Sequence, residues 1–144
     1  MITAWRLCRS ELADLSGKES AESGGRWTSA GTPAVYLAEH PALALLEARV
    51  HMKGGPEAVP PDTALCQVVL PEDPQPEHIP ALPGDPRAAG DAWLREGRSA
   101  VLRVPSVIVP AAWNLLLNPA HPAAQDARIE RMIPIGLDPR LWRR

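Results

Sequence analysis

Short apolar runs, separated by glycine, proline and small polar residues, make up much of this 144-residue chain. Runs of about four to eight apolar or β-branched residues between such turn residues are typical of β-strands. The pattern predicts six short strands, at residues 3–8, 33–38, 64–70, 99–104, 107–109 and 127–135. The last is the least regular of them, because Pro134 interrupts it.

Two segments have both the composition and the boundaries of helices. Pro41 stands where a helix favours its first residue, residues 42–53 are strong helix formers, and residues 54–56 (Gly-Gly-Pro) predict an abrupt end. A second helix is predicted at residues 85–96. It starts with an Asp-Pro pair, which is a favourable beginning, and Gly97 is a favourable stop.

The segments between these elements are rich in turn residues. Residues 15–25 combine serine, glycine and charge and predict a loop, and residues 71–84 predict an extended loop with polyproline character. Residues 118–122 (Asn-Pro-Ala-His-Pro) predict a fixed turn. Six strands with two or three helices and no internal repeat predict an α+β fold. We expect one compact domain over residues 1–144, with a mixed or antiparallel sheet as its core.

Composition excludes several classes of protein. The 17 prolines are too many for a helical bundle, because each one removes a backbone donor and breaks helix interiors. Fifteen Lys and Arg residues against 17 Asp and Glu residues give a net charge of −2, which is too balanced for a chain that holds nucleic acid by charge. No run approaches the ~20 apolar residues of a membrane span and no secretory signal is evident, so we expect a cytoplasmic protein.

The cysteines, histidines and aromatic residues narrow the chemistry further. Cys8 and Cys66 form no CxxC or CxxH pattern, and the four histidines lack the spacing of metal ligands, so we expect free thiols and no metal. Five tryptophans accompany a single tyrosine, Tyr36, and no phenylalanine.

Glu47 is the sharpest anomaly in the predicted helices. Leu43, Leu46 and Val50 have the spacing of a core-facing stripe, and Glu47 shares that face. An inward carboxylate is costly unless it is paired or hydrogen-bonded. Two interpretations remain open: a buried glutamate locked to a structural arginine, or a carboxylate on the wall of a ligand cleft.

Arg26 follows two glycines, in the motif Gly24-Gly25-Arg26-Trp27. The glycines allow a tight turn and the close approach of a ligand, and the arginine is suited to a phosphate or carboxylate. Taken alone, such a motif is more often an ordinary turn with an exposed arginine. Arg6, on the first predicted strand, is either a solubilising edge residue or a second cation of the same cleft.

Tyr36 and Ser106 are two further candidates. Tyr36 shares one side of its predicted strand with small alanines, which leaves its ring exposed to whatever packs there, although core filling is the commoner role of a strand tyrosine. Ser106 lies in a Pro-Ser pair between two predicted strands. No GxSxG motif surrounds it, so it is interpreted as a hydrogen-bonding serine or a simple turn residue, not a nucleophile.

Taken in order, these motifs resemble the RES domain, from about Trp5 to Leu141. Tyr36 follows Arg26 by ten residues and precedes Glu47 by eleven, which is the spacing of that family. The matching segments are Gly24-Gly25-Arg26-Trp27, Pro33-Ala-Val-Tyr36-Leu-Ala, Ala42-Leu-Ala-Leu-Leu-Glu47, Val104-Pro-Ser106 and Asn118-Pro-Ala-His121-Pro122.

The resemblance implies a fold like that of the ADP-ribosyltransferases and a toxin of a type II toxin–antitoxin pair. Such toxins act on NAD⁺ and are neutralised by an Xre-type helix-turn-helix antitoxin, to which DNA binding would belong. Members degrade NAD⁺ by hydrolysis or phosphorolysis of the nicotinamide–ribose bond, and some transfer ADP-ribose to a protein. A homodimer inside a larger complex with the antitoxin is one arrangement that the resemblance allows.

The resemblance also assigns site residues. Glu47 would stabilise the oxocarbenium-like centre that forms as nicotinamide leaves, and no general acid is required because nicotinamide departs neutral. Arg26 with Arg6 would hold the pyrophosphate, Tyr36 would stack on nicotinamide, and Ser106 would hydrogen-bond to the amide or the ribose. The catalytic residues implied are Arg26, Tyr36, Glu47 and Ser106, and the NAD⁺-binding residues are Arg6, Arg26, Tyr36, Ser106 and Asn118.

Two positions depart from the family pattern. Glu19 stands where a glycine is common in the loop ahead of the Gly-Gly-Arg-Trp motif, and Thr28 stands where an asparagine usually follows the tryptophan. The altered loop favours one alternative function, a binding module that retains NAD⁺ but has weak catalysis. A protein ADP-ribosyltransferase is the other alternative.

Overall fold

Seven strands form one sheet in the computed structural model, which describes residues 1–143. They are β1 (Ile2–Arg9), β2 (Val35–Ala38), β3 (Thr63–Leu70), β4 (Glu77–His78), β5 (Val101–Pro105), β6 (Trp113–Leu117) and β7 (Arg128–Pro134). Their order across the sheet is β4-β5-β6-β2-β1-β3-β7. Neighbouring strands run antiparallel except for β4 and β5, which are parallel, so the sheet is mixed and the predicted α+β class is confirmed.

Three α-helices accompany the sheet: α1 (Lys18–Ser23), α2 (Pro41–His51) and α3 (Pro86–Glu96). The two predicted helices are confirmed; α3 ends at Glu96 as predicted, whereas α2 ends at His51, two residues before its predicted end. The His40 side chain accepts a hydrogen bond from the first turn of α2, and the Asp85 carboxylate does the same for α3. Gly97 ends α3 in the left-handed conformation, with φ of 60°.

The core lies on both sides of the sheet. One side carries a continuous apolar cluster that includes Ala4, Val35, Cys66 and Leu115. The other side is divided into two clusters. Trp93 of α3 packs on the β5 and β6 part of the sheet, and α2 packs on the part around Ala38 and Trp5.

The sheet is nearly divided in its middle, between β1 and β2. The two strands pair at a single position, Trp5 with Ala38. In contrast, β1 pairs with β3 along its whole length, from Ile2 with Leu70 to Arg9 with Thr63. The second half of β1 and the first half of β2 therefore diverge, and a cleft opens between them.

One predicted strand was wrong, and a strand next to it was missed. Residues 107–109 form a bend, because the Ser106 hydroxyl oxygen accepts hydrogen bonds from the backbone N–H groups of Ile108 and Val109, at 3.1 Å each. The strand of this region is β6, which was not predicted. Leu115, Leu116 and Leu117 are all buried, so β6 shows no alternation of apolar and polar residues.

Two predicted loops contain short regular elements. Residues 15–25 include α1, which follows Gly17 in the left-handed conformation and is fixed to β2 by the Ser20 hydroxyl, which donates to the Ala34 carbonyl at 2.7 Å. The extended segment at residues 71–84 includes the two residues of β4, which pair with β5. Neither element is long enough to show a periodic pattern in the sequence.

Candidate active site

The cleft between β1 and β2 has a volume of about 1280 Å³. Side chains from β1, α1, β2, α2 and α3 line it, together with the loop before β2 and the segment after β5. Four of the six predicted site residues line this cleft directly: Arg6, Arg26, Tyr36 and Glu47.

Glu47 is a half-buried carboxylate on the cleft wall. Its Oε1 atom accepts two hydrogen bonds, one from the Ser106 hydroxyl at 2.9 Å and one from the Asn114 side-chain amide at 2.8 Å. No lysine or arginine of residues 1–143 forms an ion pair with it. The glutamate is therefore held by neutral donors on the wall of the cleft and not by a structural arginine.

The predicted core-facing stripe around Glu47 was wrong in part. Leu43 is buried, but Leu46 is 37% exposed and Val50 is 55% exposed. The helix buries only the face formed by Leu43 and Ala44, because α2 touches the sheet around Ala38, and Val50 lies on the cleft wall. Glu47 faces inward because the cleft, not the core, lies on that side.

Ser106 is a positioning group for Glu47. The residue is 9% exposed, and its hydroxyl donates to Glu47 and accepts the two backbone N–H groups of the following bend. A serine hydroxyl has one donor and two acceptor positions, so all three are filled. Ser106 thus both stabilises the bend that follows it and donates to the carboxylate on the cleft wall.

Asn114 was missed by the sequence analysis. It lies on β6, which was not predicted, and its side-chain Nδ2 donates to Glu47. The paired Oδ1 is buried and has no hydrogen-bond partner within residues 1–143. The assignment of the amide follows from its neighbour, since only N–H can face a carboxylate oxygen. A polar residue beside three consecutive leucines is the sequence signal that could have pointed to it.

Residues 24–29, which we call the arginine loop, present Arg26 at the cleft. Gly24 has φ of 72°, and the Gly25 N–H donates to the Thr28 carbonyl at 2.9 Å, which closes a tight turn. Trp27 is buried, whereas Arg26 is exposed and lines the cleft. The loop thus uses its tryptophan as an anchor and leaves its arginine available to a ligand.

Tyr36 supports the arginine loop from the sheet. Its hydroxyl accepts the Trp27 backbone N–H at 3.1 Å and lies 2.7 Å from the Thr28 hydroxyl. Burial raises the pKa of Tyr36 above its usual value, which keeps the phenol neutral. A Cβ atom at Gly25 would lie 2.5 Å from the Tyr36 oxygen, so the second glycine of the motif is required by this contact.

Helix α3 supports the same loop from the other side. The Arg87 guanidinium donates to the Gly25 carbonyl through Nη2 at 3.1 Å and Nε at 3.3 Å. The Asp91 carboxylate accepts both the backbone N–H and the hydroxyl of Ser29, at 2.8 and 2.5 Å. Neither residue was predicted from the sequence, although Gly90, an isolated glycine inside a helical pattern, is a signal of close approach.

The β1 wall of the cleft carries Arg6 and Cys8. Arg6 lies 3.4 Å from the Glu19 carboxylate, which is 80% exposed, so this ion pair is weak. Glu19, which departs from the family pattern, lines the cleft beside Arg6.

A hydrogen bond with the Cys66 thiol, aided by the positive charge of Arg6, lowers the pKa of Cys8 to about 7, although burial acts in the opposite direction. The same hydrogen bond and burial raise the pKa of Cys66.

Asn118 is the one predicted site residue that neither lines the cleft nor hydrogen-bonds to a side chain that lines it. It is 3% exposed, and its Oδ1 accepts the Ala120 N–H at 3.0 Å. Its Nδ2 faces the Leu94 carbonyl at 3.4 Å. Its polar atoms bind the backbone of the predicted turn at residues 118–122 and of Leu94, and they are not directed at the cleft.

Within residues 1–143, no helix is long and apolar enough to cross a membrane.

Comparison with known proteins identifies the same family as the sequence motifs. A family model described as "RES domain" matches residues 3–141. The chain therefore belongs to the RES domain toxin family, and the predicted family is confirmed.

Two relatives and one solved structure show which proteins the chain is similar to. The protein named Toxin Res from Pseudomonas putida is 39% identical, over 88% of this chain and 90% of the relative. The Prs ADP-ribosylating toxin of Sphingobium sp. is 35% identical, over 97% of this chain and 96% of the relative. A chain in the crystal structure of the M. tuberculosis MbcT-MbcA toxin-antitoxin complex matches with a TM-score of 0.70 at 18% identity, over 97% of this chain and 86% of that one. That likeness shows a shared fold.

Proposed function

We propose that this chain is the toxin of a toxin–antitoxin pair and that it degrades NAD⁺ by cleaving the nicotinamide–ribose bond. The observation that carries the proposal is the Glu47 carboxylate, which Ser106 and Asn114 fix on the wall of a cleft that also presents Arg26 and Arg6. A fixed negative charge and separate cations suit a substrate with a developing positive centre and an anionic pyrophosphate.

Glu47 would act by electrostatic stabilisation. Loss of neutral nicotinamide leaves positive charge on the ribose carbon and ring oxygen, as in glycoside cleavage. Both donors engage Oε1, so Oε2 is left to face the ribose. A carboxylate whose orientation is already fixed stabilises this charge without reorganising during the reaction. Water or phosphate then attacks the ribose carbon.

The remaining site residues would bind and orient the substrate. Arg26 and Arg6 would hold the pyrophosphate through charge-assisted hydrogen bonds, and Arg87 adds a third cation on the same cleft. The Tyr36 ring would stack on nicotinamide, because its hydroxyl is already engaged by the arginine loop. Ser106 would act on Glu47 and not on the substrate, since its hydrogen-bonding positions are filled.

Nicotinamide release from NAD⁺ by the purified protein tests the proposal. Glu47→Gln keeps the shape but removes the charge, and we expect the rate to fall on the order of 10²-fold or more. Glu130→Gln, an exposed glutamate on the edge strand β7, is the matched control and should retain the wild-type rate. Equal rates for Glu47→Gln and the wild type would refute the assignment. Reactions with and without phosphate separate phosphorolysis from hydrolysis by their second product.

A protein ADP-ribosyltransferase is the second candidate, favoured by the 35% identity to a relative named as an ADP-ribosylating toxin. The same oxocarbenium-like centre would then be captured by a protein side chain. NAD⁺ labelled in the adenylate part distinguishes the two reactions, because label remains on a protein only after transfer. Binding of NAD⁺ without either product would instead indicate a module with weak catalysis.

The partner we propose is an Xre-type helix-turn-helix antitoxin acting on this chain in the cytoplasm. The match to a chain of a toxin–antitoxin complex supports a protein partner of this class. Co-expression with the product of an adjacent helix-turn-helix gene, followed by purification through a tag on one chain, tests it. Recovery of the tagged chain alone would contradict the proposal.

A further inference from the structure

The arginine loop is held at three points outside Arg26 itself. Tyr36 binds its centre, at Trp27 and Thr28. Helix α3 binds its two ends, through Gly25 and Ser29. Arg26 therefore lies at the tip of a loop whose backbone is fixed on both sides, while its own side chain is exposed at the cleft.

Asp91 makes the shortest of these contacts. Both of its carboxylate oxygens are used, one for the Ser29 N–H at 2.8 Å and one for the Ser29 hydroxyl at 2.5 Å. Hydrogen bonds to an ionised acceptor are roughly twice as strong as neutral ones, and two of them to one residue fix its orientation. Because both groups are half-buried, water competes poorly for them.

Gly90, one residue before Asp91 on α3, lies so close to Trp27 that the helix and the arginine loop cannot move independently. A Cβ atom at Gly90 would overlap the Trp27 carbonyl oxygen and lie 2.7 Å from its carbon. The backbone of α3 thus lies directly against the backbone of the arginine loop. A shift of the helix or of the Ser29 anchor moves the loop, and Arg26 with it.

We propose that Asp91 is a positioning residue for substrate binding, which holds Arg26 in place through Ser29. The inference rests on the proposed function in so far as Arg26 grips the pyrophosphate of NAD⁺. It assigns to α3 a role in the site through a residue that does not line the cleft. Glu47 and its donors lie on α2, β6 and the bend after β5, so Asp91 acts on binding and not on the charge at the ribose.

Kinetics and direct binding test the inference in three single variants of α3 and in an Arg26→Ala background. For Asp91→Ala we expect KM for NAD⁺ to rise on the order of ten- to a hundredfold, as for a small misplacement of a binding group, with kcat changed only about twofold. Asp91→Asn retains the Ser29 N–H acceptor and can donate to its hydroxyl, so it should restore most of the affinity. Arg95→Ala, an exposed position one turn further along α3, is the matched control and should behave as the wild type.

The effect should depend on Arg26. In an Arg26→Ala background, Asp91→Ala should add little to the loss of affinity, because the group that it positions is already missing. An equal loss in both backgrounds, or a fall in kcat with unchanged KM, would overturn the inference. A parallel loss of thermal stability alone, with affinity unchanged, would also overturn it.

Binding of ADP-ribose by calorimetry separates this inference from the proposed function. If the wild type binds ADP-ribose and Asp91→Ala weakens that binding, the positioning role stands even when no nicotinamide is released. If the wild type releases nicotinamide but Asp91→Ala binds and reacts normally, the function stands and the positioning role fails. A wild type that binds no ADP-ribose refutes the positioning role.

Discussion

Gly90 is the position where α3 and the arginine loop leave no room for a side chain. Replacing it with alanine adds one methyl group, which would overlap the Trp27 carbonyl oxygen and lie 2.7 Å from its carbon. Carbon atoms in good contact lie about 3.5–4.0 Å apart, so the contact with the carbonyl carbon alone requires helix and loop to separate by about 1 Å, and the nearer oxygen requires more. Both neighbours are backbone, and neither can turn aside as a flexible side chain would.

The expected cost can be worked out from these contacts. Overpacking of this kind costs about 1–3 kcal/mol, and the better helix propensity of alanine returns about 1 kcal/mol. Such a separation also stretches the 2.8 Å bond from the Ser29 N–H to Asp91 out of hydrogen-bond range, whereas the Ser29 hydroxyl can rotate to follow the carboxylate. One bond to a charged group contributes about 1.5–3 kcal/mol. We expect Gly90→Ala to lower the free energy of unfolding by about 3 kcal/mol.

Urea denaturation and thermal unfolding measure this change. For a chain of this size, 1 kcal/mol corresponds to about 2–4 °C, so the Tm should fall by roughly 10 °C. Gly84→Ala is the matched control, because an added Cβ there meets no atom within 4 Å, and its stability should be within about 0.5 kcal/mol of the wild type. A Gly90→Ala variant as stable as this control would refute the close approach as the reason for the glycine.

Two further predictions concern Tyr36 and Cys8. Tyr36→Phe keeps the ring but removes the acceptor of the Trp27 N–H, so urea denaturation should show a loss of about 1–3 kcal/mol; an unchanged midpoint would contradict the anchoring role. The thiolate is the reactive form of cysteine, so the rate of Cys8 alkylation by iodoacetamide should rise with pH through a midpoint of about 7, while Cys66, whose pKa is raised, stays unmodified in peptide mass spectra. A midpoint near 8.5, as for a free thiol, would contradict the effect of Cys66 on Cys8.

Local signals in the sequence were sufficient to predict the two long helices, α2 and α3. Helices α2 and α3 have a proline in the first turn, a capping side chain before it and a glycine shortly after the last turn, and each of these acts within a few residues. Strand β6 was missed for the opposite reason. It lies between β2 and β5 and is buried on both faces, so its leucines carry no periodicity.

The candidate site could be predicted only where a residue carries its own chemistry. Arg26 and Glu47 are conspicuous because a charge stands beside glycines or within an apolar helix. Asn114 and Asp91 are not, since their importance comes from partners more than sixty residues away in the chain. Ser106 lies between these cases, because a turn role was one of its two predicted interpretations, whereas its bond to Glu47, 59 residues away in the chain, was not predicted.

The single residue pair between β1 and β2 has a consequence for how the cleft recognises ligands. In a fully paired sheet, the N–H and C=O groups of inner strands are used by their neighbours. Beyond Trp5 and Ala38, the groups of these two strands that face each other have no such partner within residues 1–143. They are donors and acceptors fixed by the fold itself. A ligand that reached them would be bound by the main chain, and substitution of the lining side chains would leave those hydrogen bonds available.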